Sequence, residues 1–267
     1  MRKYPRTYHF SFSTPANDKA RDFIFNEMQK VMKNGAGTHV DGEFKNVISG
    51  DVLSKVLVGA HYDSVPGSPG ADDNASAVAV MLAVLKYFGS VHRGISYCAF
   101  NGEETGLQGS YELVKSKFFA SLKHVHILEM VGYRDTKPNS QKNPVPFLDC
   151  PTTGDFLGIV SNSDEEVGGI ISCAAAVNIP VLGFGIPSGI SISQIQSFSP
   201  HLLRSDHAPF WQHRPDIKAT MWTDTSEFRN PHYHQSTDTP DTLDYEFMAE
   251  ITKLLILHIR LLLGEKI

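Results

Sequence analysis

The chain has 267 residues, of which 41% are hydrophobic and 20% are charged, and its formal net charge is -5. This composition is typical of a globular α/β domain and excludes long disordered or fibrous segments. A negative charge without a basic stripe also disfavours nucleic acid as a partner, so a small or peptide ligand is expected. We therefore predict one domain that spans residues 1–267.

The predicted elements alternate between helices and strands. Apolar residues recur on one face of residues 17–32, which predicts an amphipathic helix that ends at Gly35 and Gly37. Residues 55–60 are apolar throughout, as in a central parallel strand buried on both faces, and Ser76 is a candidate N-cap for the helix that follows. The remaining pattern predicts strands over 95–100, 125–130, 180–184 and 219–223, and helices over 77–88, 108–117, 206–212 and 246–263.

Strands that alternate with helices predict a mostly parallel central sheet between two helical layers. Residues 134–156 are rich in Pro, Asn and Thr, and we assign them no structure but expect them to lie over one end of the sheet. No run of about 20 apolar residues, the length that crosses a bilayer, occurs in the sequence, so no membrane partner is expected. Residues 1–12 lack a continuous apolar stretch, which favours a cytoplasmic protein, or a secreted or periplasmic one if a signal peptide has been removed.

The cysteines are odd in number and widely spaced, so they outline neither a disulfide framework nor a metal-binding pair. We expect buried free thiols at Cys98, Cys150 and Cys173.

Acidic residues and a histidine follow three predicted strands, where ligands of open parallel sheets bind. So many carboxylates in one crevice would repel each other unless a cation neutralised them. Imidazole and carboxylate oxygen without thiolate suit zinc in an open, catalytic site. The residues concerned are His61, Asp63, Asp72, Asp73, Glu103, Glu104 and Glu129.

Each of these signals alone has a simpler interpretation. A lone histidine in a loop is usually hydrogen-bonded, an Asp-Asp pair often stabilises a turn, and adjacent glutamates usually form a solvated surface pair. We interpret Glu165 and Glu166 as such a surface pair, because they do not follow a predicted strand. His124 and His126 are interpreted as packing or surface residues. The coincidence at successive strand ends is what favours a metal site.

Several ordered motifs resemble those of the M28 zinc metallopeptidases, and the match runs from about residue 46 to residue 244. The motifs are HYD at 61–63, GADDNAS at 70–76, GEE at 102–104, SDH at 205–207 and HQSTDT at 234–239. The resemblance implies a phosphorylase/hydrolase-like α/β fold: a three-layer sandwich with a mixed, mostly parallel central sheet and two zinc ions per chain.

The resemblance also implies a ligand set. By position, His61, Asp72 and Glu129 would bind one zinc ion, and Asp72, Glu104 and His234 the other. Asp72 would bridge the two ions. The family's pattern favours His234 over the neighbouring His232, and it keeps His207 outside the metal shell.

Two further roles come from the same resemblance. Glu103 would act as the general base, and Asp63 would accept a hydrogen bond from the far nitrogen of His61 and fix its tautomer. The peptide bond between Asp72 and Asp73 is expected to be cis. For the donor that stabilises the oxyanion, Tyr133, Tyr233 and His207 remain open.

The implied activity is that of an exopeptidase, most simply an aminopeptidase acting on a peptide or aminoacyl substrate. Glu129 departs from the aspartate that many aminopeptidases of this kind carry, which leaves a carboxypeptidase or an amide deacylase as alternatives. A glutaminyl cyclase, which uses a single zinc ion on a similar scaffold, and an inactive receptor-like protein are further alternatives. Serine or cysteine nucleophilic catalysis lacks a Gly-x-Ser-x-Gly motif or a suitably placed cysteine.

Overall fold

A computed structural model describes residues 14–32, 37–89, 94–116, 120–145, 148–187 and 189–265. Within them, the strands assemble into one eight-stranded sheet. The strands are β1 (Thr38–Asp41), β2 (Asn46–Gly50), β3 (Val56–His61), β4 (Ile95–Phe100), β5 (His124–Glu129), β6 (Leu157–Ser161), β7 (Val181–Gly185) and β8 (Lys218–Thr223).

The strand order is β1-β2-β4-β3-β5-β8-β6-β7. The four central strands, β4, β3, β5 and β8, run parallel to one another. Antiparallel pairs join β1 to β2, β2 to β4 and β6 to β8. The sheet is therefore mixed and mostly parallel, as predicted, and the carboxyl ends of β4, β3, β5 and β8 meet at one edge.

Helices cover both faces of the sheet. They are α1 (Pro15–Val31), α2 (Ala77–Phe88), α3 (Gln108–Lys115), α4 (Asp164–Val177), α5 (Ile192–Phe198), α6 (Ala208–His213) and α7 (Tyr245–Leu262). Side chains of α1, α2, α4 and α7 form one buried cluster with the sheet, and those of α3, α5 and α6 form the other. Val56 and Val58 of β3 point to the first cluster and Leu57 to the second, so this strand is apolar on both faces.

The five predicted strands and five predicted helices are found within a few residues of their expected bounds. Gly35 and Lys117 lie outside the described residues. The sequence pattern missed β1, β2, β6, α4 and α5. The strands are short, and α4 contains Gly168 and Gly169, which disfavour a helix on propensity alone.

Ser76 stands at the N-cap position of α2, as the sequence predicts, but it does not cap the helix with its side chain. Its backbone is already helical and its side chain makes no capping bond. The hydroxyl instead donates to the carbonyl of Asp72 at 2.9 Å and accepts from the N–H of Val131 at 3.2 Å. Ser76 therefore ties the turn before α2 to the chain beyond β5. None of the described helices is long and apolar enough to cross a membrane.

Candidate active site

Side chains from two strand ends and three loops converge at the carboxyl edge of the central strands. His61 ends β3, Glu129 ends β5, and Glu104 lies in the loop after β4. Asp73 belongs to the turn that precedes α2, and His234 to the loop after β8. We call these five residues the front cluster.

The front cluster consists of two groups of three side chains that share Asp73. In one group, Nε2 of His61 lies 3.4 Å from Oδ1 of Asp73 and 3.6 Å from Oε2 of Glu129. In the other, Nε2 of His234 lies 3.1 Å from Oδ2 of Asp73 and 3.3 Å from Oε2 of Glu104. Two ligands of a tetrahedral zinc ion with bonds of about 2.1 Å stand roughly 3.4 Å apart. Both groups therefore have the spacing of a ligand set, and Asp73 offers one oxygen to each.

Asp72 belongs to neither group, so the aspartate that the two groups share is Asp73, and not Asp72 as the motif had led us to expect. Oδ1 of Asp72 accepts from the N–H of Gly132 at 2.8 Å, and Oδ2 accepts from Nδ2 of Asn230 at 2.6 Å. These bonds turn the carboxylate away from the histidines. The cis peptide bond expected between Asp72 and Asp73 lies between Asp73 and Asn74. The motif is therefore displaced by one residue from the predicted alignment.

Asp238 and Asp224 support the turn that carries Asp73. The carboxylate of Asp238 accepts from the N–H of Asp72 at 2.8 Å and from that of Asp73 at 3.2 Å. Burial, together with the nearby Asp72, raises the pKa of Asp224, and burial raises the pKa of Asp72. The two buried carboxyl groups are therefore expected to hold a proton between them. The sequence marks Asp238 within a motif but shows no role for it, and it gives no signal for Asp224.

Asp63 connects one histidine to both glutamates of the loop after β4. Its carboxylate accepts from the N–H groups of Glu103 at 3.3 Å and Glu104 at 3.2 Å. Nδ1 of His61 lies 3.0 Å from the backbone carbonyl oxygen of Asp63 and 3.5 Å from its Oδ1. The expected support of His61 by Asp63 is thus made mainly through the backbone, while the carboxylate positions the glutamates.

The tautomer of His61 follows from this contact. A carbonyl oxygen can only accept, so Nδ1 carries the hydrogen and the lone pair of the neutral ring lies on Nε2. That lone pair faces Asp73 and Glu129. Nε2 of His61, Nε2 of His234 and Oε1 of Glu104 are buried without a hydrogen-bond partner. Such groups cost free energy unless something satisfies them, and a divalent cation fits this donor set.

The charged groups of the front cluster shift one another's pKa values. Burial disfavours the charged form of His234, but Asp73 and Glu104 outweigh it and raise its pKa to about 9. The pKa of His61 is also raised, because Glu129 and the aspartates outweigh burial. Burial raises the pKa of Glu104 to about 7. Without a cation the cluster therefore binds extra protons, and a cation would displace them.

Glu103 and Glu129 both line a cavity beside the front cluster, which contains His61 and His234. Burial, and then the neighbouring Glu129 and Glu104, raise the pKa of Glu103 well above its usual value, although His61 opposes the shift. Oε2 of Glu129 accepts from the hydroxyl of Ser205 at 2.6 Å. Ser205 begins the SDH motif, so the motif supports the front cluster through this hydrogen bond.

The other candidate histidines lie outside the front cluster. Nδ1 of His232 lies 2.9 Å from the hydroxyl of Thr237, so the loop directs His234, not His232, to Asp73. His207 is buried, with Nε2 2.9 Å from the carbonyl oxygen of Leu202.

A cavity of about 980 Å³ opens beside the front cluster. Apart from the acidic end, its wall is largely apolar and is built by described residues of the loop before β6, by β6, β7 and β8, and by residues 201–205. The segment over residues 134–156, which was expected to lie over one end of the sheet, thus contributes residues to the cavity at that end. Side chains of this wall include Val145, Leu148, Phe156, Leu182, Phe184 and Met221.

A second histidine–carboxylate group lies between β5, α4 and α7. Nδ1 of His124 and Nε2 of His258 each lie 3.0 Å from an oxygen of Glu166, and Nε2 of His126 lies 3.6 Å from it. We call these four residues the rear cluster. The interpretation of Glu166 as a solvated surface residue is therefore wrong, because its side chain is only 2% exposed. Glu165 is 83% exposed and pairs with a lysine, as expected of a surface residue.

The rear cluster resembles a metal site in residue type and spacing, but the hydrogen of one imidazole ring is not placed as in a metal site. The indole N–H of Trp222 donates to Nδ1 of His126 at 3.2 Å. Because indole can only donate, Nδ1 is the acceptor, and the hydrogen of the neutral ring lies on Nε2. Nε2 therefore points a hydrogen, not a lone pair, towards Glu166. Burial lowers the pKa of His126 to about 3, which keeps this ring neutral.

Comparisons with known proteins identify a peptidase family. The model of peptidase family M28 matches residues 47–149. The uncharacterized protein YfbL of Escherichia coli (strain K12) is 33% identical over 79% of this chain and 68% of its own length. Aminopeptidase YwaD of Bacillus subtilis (strain 168) is 30% identical over 77% of this chain, which spans 40% of that protein.

Solved structures share the fold at lower identity. The zinc aminopeptidase BSAP from Bacillus subtilis superposes with a TM-score of 0.59 at 24% identity, over 81% of this chain and 49% of that one. A glutaminyl cyclase from Tannerella forsythia superposes with a TM-score of 0.64 at 19% identity, over 92% of this chain and 91% of that one. From the family match and the related sequences, the chain is a hydrolase of peptidase family M28.

Proposed function

We propose that the chain is a zinc-dependent aminopeptidase that removes bulky apolar residues from the N-termini of peptides. The observation that carries this proposal is the pair of three-residue groups that share Asp73 at the acidic end of an apolar cavity. A related protein, YwaD, bears the name aminopeptidase.

Two zinc ions per chain would fit the front cluster. His61, Asp73 and Glu129 would hold one ion, and Asp73, Glu104 and His234 the other. Bound zinc supplies Lewis-acid chemistry, which polarises a carbonyl group and makes water a stronger acid. Two complete groups favour this centre over the single-zinc centre of a glutaminyl cyclase.

Glu103 is the residue best placed to carry the proton. It lines the cavity next to the front cluster, where a carboxylate can both accept a proton and return it. Asp63 fixes the backbone of Glu103, so the base stands on a rigid loop. Glu103 would take a proton from the attacking water and return it to the leaving amine.

Among the three candidates for the oxyanion donor, Tyr233 has the best position. It lines the cavity and its ring stacks on His234, with centroids 3.8 Å apart. Burial raises the pKa of Tyr233, so the phenol keeps its hydrogen and can donate it. The side chain of His207 is fully buried, and Tyr133 is not among the described residues that line the cavity.

The charges of the cavity favour recognition of an amine over a carboxylate. Arg204 is the one guanidinium or ammonium side chain among the described lining residues, and Glu227 already pairs with it. A substrate with a free C-terminal carboxylate would therefore find no free cation of this kind on the described wall. The acidic side chains near the zinc ligands suit a free α-ammonium group. An aminopeptidase is thus favoured over a carboxypeptidase. The second candidate is a deacylase, because its apolar acyl group would also fit the cavity.

The experiment combines metal content with three substrates. Zinc is measured by elemental analysis on protein purified without chelators, and hydrolysis is followed with leucine p-nitroanilide, its N-acetylated form and an N-blocked dipeptide with a free carboxylate. We expect about two zinc ions per chain and turnover of the free-amine substrate alone. Release of leucine p-nitroanilide from the acetylated substrate would instead indicate a deacylase, turnover of the blocked dipeptide a carboxypeptidase, and absence of zinc would contradict the proposal.

The matched variants are Glu103→Gln and Glu165→Gln. Glu103→Gln should keep the zinc and lose roughly 10²–10⁴-fold in kcat, the usual contribution of a general base. Glu165→Gln changes an exposed glutamate that is not among the described lining residues of the cavity, and it should match the wild type. Full activity in Glu103→Gln would contradict the assignment of the base.

A further inference from the structure

Arg204 and Tyr233 both line the cavity and contact each other. Nη2 of Arg204 donates to the Tyr233 hydroxyl oxygen at 2.8 Å, and the guanidinium lies 5.8 Å from the centre of that ring. Nη1 lies 3.1 Å from Nδ1 of His201 and also donates to Glu227. Nη2 lies 3.4 Å from the second oxygen of Glu227. Arg204 is thus held by Tyr233, His201 and Glu227.

These contacts restrict the direction of the Tyr233 hydrogen. A guanidinium can only donate, so the phenol oxygen must accept from Arg204 and cannot aim its own hydrogen at that partner. The carboxylate of Glu227 is engaged by Arg204 in a two-point contact, which is a strong and directional arrangement. The phenol hydrogen is then left to turn towards the cavity, which Tyr233 lines.

Arg204 is poorly suited to the other obvious role, which is to bind a carboxylate of the substrate. Its guanidinium already carries a carboxylate partner in Glu227, and a second anion would have to displace it. Glu227 acts through the guanidinium, because both of its carboxylate oxygens contact Arg204.

We propose that Arg204 is a positioning residue that orients the Tyr233 hydroxyl towards the oxyanion of the proposed peptidase reaction, and that Glu227 fixes Arg204 for this purpose. This inference rests on the proposed aminopeptidase function. Negative charge on the carbonyl oxygen develops in the transition state, so loss of orientation lowers kcat and leaves KM nearly unchanged.

The test is a double-mutant cycle with Arg204→Met and Tyr233→Phe, measured with leucine p-nitroanilide. Tyr233→Phe removes the donor, and the loss of one such donor costs about 10²–10³-fold in kcat. Arg204→Met should cost roughly tenfold to hundredfold in kcat through misorientation of the same donor. In the Tyr233→Phe background, Arg204→Met should have no further effect, because the hydroxyl that it orients is gone.

Controls separate positioning from folding and from the proposed function. Zinc content and the thermal unfolding midpoint are measured for every variant, and Arg214→Met removes a comparable surface pair with Asp216. Multiplicative losses in the double variant, or a raised KM with an unchanged kcat in Arg204→Met, would overturn the positioning role alone. Absence of wild-type turnover would overturn the proposed function and the positioning role with it.

Discussion

The front and rear clusters contain the same kinds of side chain at similar distances. They differ in whether an imidazole nitrogen presents a lone pair or a hydrogen to the neighbouring carboxylate. The difference lies in the partner of one imidazole nitrogen. In the front cluster a carbonyl oxygen accepts from Nδ1 of His61, and in the rear cluster the indole of Trp222 donates to Nδ1 of His126. The first leaves a lone pair for a cation, and the second leaves a hydrogen for a carboxylate.

The rear cluster therefore acts as a connection between elements. Glu166 belongs to α4, His258 to α7, and His124 and His126 to β5. Burial alone would raise the pKa of Glu166, but hydrogen bonds from His124 and His258 lower it below its ordinary value. The glutamate is thus a buried anion that imidazole groups from two other elements stabilise.

The largest effect should come from Asp73, because a substitution there tests which of the two adjacent aspartates is shared by both metal groups. Asp73→Ala removes the side chain shared by both metal groups, so we expect loss of zinc and at least a 10³-fold loss of kcat, comparable to the removal of an activating metal. Elemental analysis and leucine p-nitroanilide hydrolysis give the two readouts.

Asp72→Asn is the matched variant for that prediction. It alters a carboxyl group that faces Gly132 and Asn230, so zinc should remain even where the fold is less stable. Loss of zinc from Asp72→Asn with retention in Asp73→Ala would restore the assignment made from the motif alone.

The next effect concerns Glu166 in the rear cluster. Glu166→Gln places an amide among imidazole donors and removes the charge that they stabilise. We expect the free energy of unfolding to fall by about 3 kcal/mol, the scale for loss of one partner of a buried pair. Urea unfolding measures it, and zinc content should not change.

Glu165→Gln is the adjacent control, since that side chain is exposed and its pairing with Lys218 should contribute less than about 1 kcal/mol. Equal stability of the two variants, or loss of zinc from Glu166→Gln, would contradict the structural role of the rear cluster.

A smaller effect is expected from His126, whose titration should make the free energy of unfolding depend on pH. Its folded pKa is lowered to about 3, whereas the unfolded value is about 6.5. Between these values the unfolded chain binds a proton that the folded chain does not, so stability is lost as pH falls from about 6.5 towards 3, by up to about 1.4 kcal/mol per pH unit. His126→Gln keeps an acceptor for Trp222 without a titrating group and should flatten this dependence.

Urea unfolding between pH 6.5 and pH 4.5 tests this slope. His213→Gln changes an exposed histidine and should leave the slope as in the wild type. An unchanged slope in His126→Gln would show that other groups cause the acid sensitivity.

The contrast also explains what the sequence could and could not predict. Strand ends and motif order predicted the sheet and placed His61, Glu104, Glu129 and His234 on one edge, because a buried parallel strand has a clear apolar signature. Two adjacent aspartates cannot be told apart this way, since the direction of each side chain depends on distant donors such as Asn230.

Glu166 was missed for a similar reason. An acidic pair at the start of a helix usually faces solvent, and the histidines that bury Glu166 come from β5 and from α7, far along the chain. Nothing in the local sequence indicates this contact.

The subtlest prediction concerns the tautomers themselves. In zinc-loaded protein, NMR of the imidazole nitrogens should find the hydrogen of His61 on Nδ1 and that of His126 on Nε2. Trp222→Phe removes the donor to His126, so the His126 ring should then populate both tautomers, at a cost of about 1 kcal/mol for the lost hydrogen bond. Trp211→Phe is the control, because that indole donates to the carbonyl oxygen of Ala219. A hydrogen on Nδ1 of His126 in the wild type would turn a lone pair towards Glu166, and the rear cluster would then be a second candidate for binding a metal.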